Sequence, residues 1–149
     1  MKKQLLSLLS LLIIFAVNSQ TTIVDVTNPI TGATWMDRNL GATQVAISST
    51  DVDAYGYYFQ WGRAADGHEV PSSMTTSTLS VDEFPGHSDF ITNPNAPNNW
   101  ISSQINTLWQ GVNGVNNVCP TGYRIPTNAE FEAERLTWGS QDAIGAFNS

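Results

Sequence analysis

The segment Val118–Leu136 constrains the fold of this chain more than any other part of its sequence. It reads VCPTGYRIPTNAEFEAERL and holds a cysteine, two prolines, a glycine and a helix start close together. Cys119, Pro120 and Gly122 predict a tight turn, and Pro126 restricts the residue before it to extended geometry. We therefore predict a turn followed by a short extended piece, and we assign structural rather than catalytic roles to these residues.

A helix start follows this extended piece. Thr127 is a preferred N-cap residue, and Glu130 three positions later completes the pattern of a capping box. Further acidic residues favour the first turns of a helix, because they complement its positive N-terminal end. We predict a helix from Asn128 to about Leu136, with inward positions at Ala129, Phe131, Ala133 and Leu136.

Residues 1–19 have the features of a secretory signal peptide. Two lysines precede an apolar run from Leu5 to Val17, and small residues surround the predicted cleavage site after Ser19. The run is shorter than the roughly 20 apolar residues that a membrane span needs, and it stops at Asn18, which disfavours an uncut anchor helix. We predict export to the periplasm, the cell surface or the medium, and a mature chain over 20–149 without a membrane span.

The predicted mature chain is strongly acidic. Both lysines of the sequence lie in the signal peptide, which leaves four arginines against thirteen acidic residues, a formal charge of −9. Such a surface repels phosphate groups, so we exclude nucleic acids and anionic membranes as partners. The charge is compatible with divalent cations, with neutral ligands such as sugars, or simply with a soluble exported surface.

Short elements and long loops are expected between the signal peptide and the final helix. Thr22–Val26 and Thr31–Asp37 predict two strands of a hairpin, joined by a turn at an Asn-Pro pair. Five aromatic residues in Tyr55–Gly62 predict a core strand or aromatic corner that is buried on both sides. The region 64–99 is rich in turn residues, and Trp100–Trp109 is compatible with a short helix.

The residues offer little support for a metal centre. His68 and His87 lie in the loop-rich region near acids, but no short spacing of metal ligands is evident, so we predict surface loop histidines. The segment beginning at Asp51 resembles the first half of a calcium loop, yet Tyr55 and Gly62 stand at ligand positions five and twelve. The sequence predicts no cofactor; a calcium ion held by distant acids is compatible with it, but no such site can be located.

Catalytic signatures are missing from the sequence as well. It contains no nucleophile elbow, phosphate-binding glycine loop or zinc-protease motif. The single cysteine, Cys119, could pair with another chain, stay buried and inert, or have lost its disulfide partner through truncation. Six aromatic residues could stack on sugar rings, although most are expected in the core: Trp35, Trp61, Trp100, Trp109, Trp138 and Tyr55. We single out Trp100, at the end of an Asn/Pro-rich loop, as the exposed ligand-binding candidate.

Three sequence blocks together resemble the Fibrobacter succinogenes major paralogous domain family. These are Gly32–Gly41 (GATWMDRNLG), Tyr55–Arg63 (YGYYFQWGR) and Cys119–Phe131 (CPTGYRIPTNAEF), and they stand in the family's order. The resemblance implies an exported bacterial protein with a C-type-lectin-like fold and no assigned activity. It also implies a disulfide between Cys119 and a second cysteine that this sequence does not contain, and hence a domain that is incomplete at its C-terminus.

We therefore expect an α+β, C-type-lectin-like domain over 20–149, with short strands, one or two short helices and long loops. The expected function is a non-enzymatic binding module for an extracellular glycan or surface protein. A structural or adhesive surface component is the alternative, and an enzyme of the formylglycine-generating type is disfavoured by the single cysteine. We also expect poor stability of the isolated chain, an unpaired sheet edge, and weaker binding without loss of folding in Trp100→Ala.

Overall fold

The computed structural model describes residues 23–142, so the predicted signal peptide lies outside the described residues. Within this range the chain is a small mixed helix–strand domain with few short strands and one α-helix. No helix of the described part is long and apolar enough to cross a membrane. The elements in order are β1 (Asp25–Thr27), β2 (Thr34–Met36), a 3₁₀ helix (Val52–Ala54), β3 (Thr75–Thr76), β4 (Phe90–Ile91) and α1 (Asn128–Arg135).

Strands β1 and β2 form the predicted hairpin. They are antiparallel, and Val26 faces Trp35 in the centre of the register. The turn forms because the Asn28 side chain accepts a hydrogen bond from the Ile30 N–H, while its carbonyl accepts one from Gly32. Among the described residues these two strands pair only with each other.

The buried core lies in the middle of the described range, where the sequence suggested mainly loops. Strands β3 and β4 are parallel, with Thr75 opposite Phe90 and Thr76 opposite Ile91. An isolated bridge joins Ser80 to Ile101 beyond them. The apolar cluster under this layer consists of Ile91, Trp100, Ile101 and Leu108, with Leu79 packed against it.

The prediction of a helix over Trp100–Trp109 is wrong. The carbonyl of Trp100 instead accepts a hydrogen bond from the Ser80 N–H, and the Ser102 N–H donates to the carbonyl of Ser80. These two hydrogen bonds to a distant segment hold the start of the stretch extended, and a turn follows near Thr107. Long-range pairing therefore overrides the local helical pattern.

The predicted burial of Tyr55–Gly62 on both sides is also wrong. This stretch contains no strand, and four of its five aromatic side chains are exposed: Tyr55, Tyr57, Tyr58 and Trp61. The side chain of Gln60 is buried instead, because its amide pairs with both backbone groups of Ile91 at 2.7 and 3.0 Å. A polar side chain thus takes the inward position that the aromatic residues were expected to fill.

Helix α1 begins and ends close to the predicted residues, but its predicted inward face is not buried. Four expected core positions are exposed: Ala129, Phe131, Ala133 and Leu136. The helix is attached by polar contacts, since Glu134 accepts hydrogen bonds from Asn28 at 2.8 Å and from Thr31 at 3.1 Å. A helix of eight residues held in this way needs no apolar stripe in the core.

Candidate functional site

Trp61 presents the most prominent exposed aromatic ring near the core. Its side chain is 67% exposed, yet its indole lies 5.1 Å, centroid to centroid, from the buried ring of Trp109. Phe59 contacts Trp109 from another side at 6.4 Å, and Tyr57 follows Phe59 at 6.2 Å. We call Trp61 with its supporting ring Trp109 the Trp61 platform.

The backbone beneath the Trp61 platform is fixed by the core. The indole N–H of Trp100 donates to the carbonyl of Trp61 at 2.7 Å, and that of Trp109 donates to the carbonyl of Arg63 at 3.2 Å. Gly62 between them has a φ of +82°, a conformation that side chains disfavour, and packs against Leu108. The exposed indole therefore stands on a backbone that is already ordered, which lowers the entropic cost of binding a ligand.

Arg63 ties the platform to the segment before β4. Its guanidinium is fully buried and donates to Asp66 at 2.8 Å, to the Gln60 amide oxygen at 2.8 Å, and to the carbonyls of His87 and Asp89 at 2.7 and 2.9 Å. It also lies 5.8 Å from the centre of the Trp100 ring. A buried charge with this many acceptors is a structural centre of the fold.

His68 is completely buried beside this arginine, so its prediction as a surface histidine is wrong, whereas His87 is exposed as predicted. The Nε2 of His68 accepts a hydrogen bond from the Gln60 N–H at 3.1 Å. The ring proton therefore lies on Nδ1, which donates to Asp66 at 2.7 Å. Burial lowers the pKa of His68 below its ordinary value, although the hydrogen bond to Asp66 opposes this. The imidazole is therefore neutral at pH 7, with both nitrogens occupied.

The carboxylate of Asp66 completes this network. Burial acts to raise its pKa, but the hydrogen bonds from His68 and Arg63 outweigh it, so the pKa lies below the ordinary value. Glu69 accepts a hydrogen bond from the Gly67 N–H at 2.9 Å. The two acids near His68, which the sequence did not resolve into a site, thus converge on its Nδ1, Asp66 at 2.7 Å and Glu69 at 3.4 Å.

Asp66, His68 and Glu69 could hold a metal ion by proximity, because their ligand atoms all lie within 4.8 Å of one another. This corrects the expectation that no close ligand set exists. The hydrogen bonds do not favour a metal, however. A metal on Nδ1 of His68 would move the proton to Nε2, where it would oppose the N–H of Gln60 at 3.1 Å. The observed donors and acceptors therefore fit a structural network better than a metal centre.

The calcium-loop resemblance has a different structural meaning. The Asp51 carboxylate caps the 3₁₀ helix through the Asp53 N–H and also accepts from the Ile47 N–H and the Gln44 amide. The hydrogen bond from Ile47, reinforced by that from Gln44, lowers the pKa of Asp51. These contacts use the carboxylate internally and leave the half-loop as a turn.

Trp100 is not the exposed residue that the sequence suggested. It is only 4% exposed and belongs to the apolar core, while its indole N–H is used by the Trp61 carbonyl. The Asn/Pro-rich loop before it ends in the core because the Trp100 ring covers the guanidinium of Arg63. We therefore expect Trp100→Ala to damage folding first.

Cys119 is a free, half-buried thiol in the described part of the chain. Burial raises its pKa, so the thiolate form is disfavoured. The turn that follows is anchored to the hairpin, since the Tyr123 hydroxyl donates to Asp25 of β1. Gly122 in this turn has a φ of +91°, which explains the glycine. Pro120 and Pro126 flank the Tyr123 segment at the turn and at the helix start.

The capping box is confirmed in both directions. The Thr127 hydroxyl accepts from the Glu130 N–H, and the Glu130 carboxylate accepts from the Thr127 N–H at 2.8 Å. Arg124 adds a two-pronged ion pair to the same carboxylate at 2.5 and 2.8 Å. Together the hydrogen bonds from Arg124 and Thr127 lower the pKa of Glu130 to about 2. These groups serve the helix start and present no reactive atom.

Sequence reasoning gives no structural role to Arg63 or His68, and it places Trp61 among aromatics expected in the core. The available signals are weak. Arg63 is one of only four arginines in the sequence and lies two residues after an aromatic run. For Trp61 the flanking Gly62 marks a backbone turn that could expose a ring.

Comparison of the chain with protein-family models, with curated proteins and with solved structures finds no match.

Proposed function

We propose that this chain is an exported, non-enzymatic module with a C-type-lectin-like fold that binds extracellular carbohydrate through the Trp61 platform. The resemblance to the Fibrobacter succinogenes major paralogous domain family motivates the fold. The single observation that supports the site is a two-thirds exposed indole whose backbone is fixed by two buried tryptophans.

Stacking is the chemistry that such a ring supports. The axial C–H groups of a pyranose form a flat apolar face, which gains burial and dispersion energy against an indole. A ring that is already fixed loses little entropy when the sugar binds. The proposed activity uses no cofactor, and the donor and acceptor pattern around His68 supports this part of the proposal.

The test is binding of the protein to a panel of polysaccharides and oligosaccharides, which is measured by affinity electrophoresis and by tryptophan fluorescence. We expect Trp61→Ala to weaken binding about tenfold or more, the range of an interfacial tryptophan, while the thermal unfolding midpoint changes little. Phe131→Ala removes another exposed aromatic ring, on helix α1, and is the matched control that should bind normally.

Two results would contradict the proposal. Undiminished binding by Trp61→Ala would remove the platform from the site. Failure of the unmodified protein to bind any glycan would favour the structural or adhesive alternative.

A further inference from the structure

The segment 82–89 lies alongside the segment that carries Trp61. Two buried side chains join the segments at both ends. Asn116 donates to the carbonyl of Gly62 at 2.9 Å and to that of Glu83 at 3.4 Å. Arg63 donates to the carbonyls of His87 and Asp89. The two stretches of backbone are therefore held side by side by the core.

Phe84 is the exposed aromatic residue of this neighbouring segment. Its side chain is 64% exposed, close to the value for Trp61. Its backbone is positioned because the Phe84 N–H donates to the carboxylate of Asp82 at 2.9 Å. The preceding residue, Glu83, is the one that Asn116 holds beside Gly62. A second exposed aromatic side chain is thus carried by a segment whose backbone Asn116 holds beside that of Gly62.

The charges around this surface are one-sided. In the described range every arginine is engaged: Arg63 is buried, and the other three pair with Asp37, Glu130 and Glu132 at 2.5–2.8 Å. No lysine occurs between residues 23 and 142. By contrast, no ion pair in this range involves Asp82, Glu83 or Asp89 of the segment that carries Phe84.

We propose that Phe84 is a second sugar-contact residue beside Trp61 and that the acidic flank makes this site select glycans by charge. Amino sugars bind best, neutral sugars bind less well, and acidic sugars bind worst. The inference rests on the proposed function, because the two rings provide the contact surface and the carboxylates only bias it. Every arginine in the described range is already paired or buried, so none is free to pair with a carboxylate or sulfate on the ligand.

The expected size of the bias follows from Coulomb's law. A unit charge on the ligand about 7 Å from one carboxylate in water changes the affinity about threefold at low salt, and several carboxylates increase this. Screening should largely remove the difference near 1 M salt, where the Debye length is about 3 Å. The stacking contribution of Phe84 should persist under the same conditions.

The experiment compares three oligosaccharides of equal length by calorimetry at about pH 6, where amino sugars are largely charged: oligo-glucosamine, oligo-glucose and oligo-galacturonate. We expect affinity to fall in that order at low salt, by about threefold or more at each step, and to converge at high salt. Equal affinities, or tightest binding of the acidic ligand, would overturn the charge selection while leaving the proposed function intact. Absence of binding by all three, in a protein that binds another glycan of the panel, would overturn the charge selection, whereas absence of binding to the whole panel would overturn the proposed function.

Variants separate the two parts of the proposal. The double substitution Asp82→Asn with Glu83→Gln keeps shape and hydrogen-bond acceptors and should weaken oligo-glucosamine binding but not oligo-glucose binding. Asp53→Asn removes one exposed acid from the 3₁₀ helix and controls for the effect of a one-unit change in net charge, against which the two-unit change of the double variant is compared. Phe84→Ala should weaken all ligands several-fold, and unchanged affinities in this variant would exclude Phe84 from the site.

Discussion

Arg63 offers the sharpest test of how this fold is held together. Arg63→Met keeps the length of the side chain but removes the charge and all its donors. It leaves the Gln60 amide oxygen, the Asp66 carboxylate and two backbone carbonyls without the partner that now lies 2.7–2.9 Å away. Loss of one member of a buried charged network costs about 3–5 kcal/mol, a large share of the roughly 5–15 kcal/mol of a typical domain.

Equilibrium urea unfolding, followed by tryptophan fluorescence, measures this loss. The control is Arg135→Met, which breaks a partly exposed pair with Glu132 and should cost at most about 1 kcal/mol. Arg63→Lys retains the charge but not the planar fork, so we expect an intermediate loss, measurable even where Arg63→Met does not fold. Equal costs for Arg63→Met and Arg135→Met would refute the assignment of Arg63 as the structural centre.

Three further predictions concern the same network and the helix start. The native pKa of His68 lies below its ordinary value of 6.5, so the unfolded chain takes up a proton first as the pH drops. The free energy of unfolding should therefore fall below about pH 6.5. The lowered pKa of Asp66 extends this loss of stability to lower pH. Urea titrations should show this slope in the protein and in His87→Asn but not in His68→Gln, and a flat profile in the unmodified protein would contradict it. Addition of Zn²⁺ or EDTA should leave the thermal midpoint unchanged, since a metal on His68 would disrupt existing hydrogen bonds, and a rise with Zn²⁺ would reverse that conclusion. Thr127→Ala should destabilise helix α1 by about 1 kcal/mol, measured by hydrogen exchange, whereas Thr121→Ala in the preceding turn should have little effect; equal effects would argue against the capping box.

Elements that depend on neighbouring residues could be predicted from the sequence. The hairpin follows from an Asn-Pro turn, in which the Asn28 side chain closes the backbone over the next few residues. The helix start at Thr127 follows from the capping box, whose two hydrogen bonds join residues only three positions apart. In both cases the partner lies within the same local window, so one sequence is enough.

Elements that depend on distant partners could not be predicted. The burial of Trp100 requires the Trp61 carbonyl, 39 positions away, and the inward position of Gln60 requires the backbone of Ile91, 31 positions away. A tryptophan after a polar loop and a glutamine inside an aromatic run give no local indication of such partners. For the same reason the sequence predicts that Trp100 is the exposed tryptophan of the site, whereas the structure buries Trp100 and exposes Trp61.

The attachment of residue 61 to the core has a consequence for how binding preferences can change. The core holds the backbone of this position through its carbonyl oxygen, which every amino acid possesses, and the side chain adds only the ring contact with Trp109. Substitutions at this position can therefore exchange the contact chemistry with little cost in folding, provided that Gly62 keeps its backbone conformation. Such a position is suited to diversification, because new ligand preferences can be sampled on an unchanged scaffold.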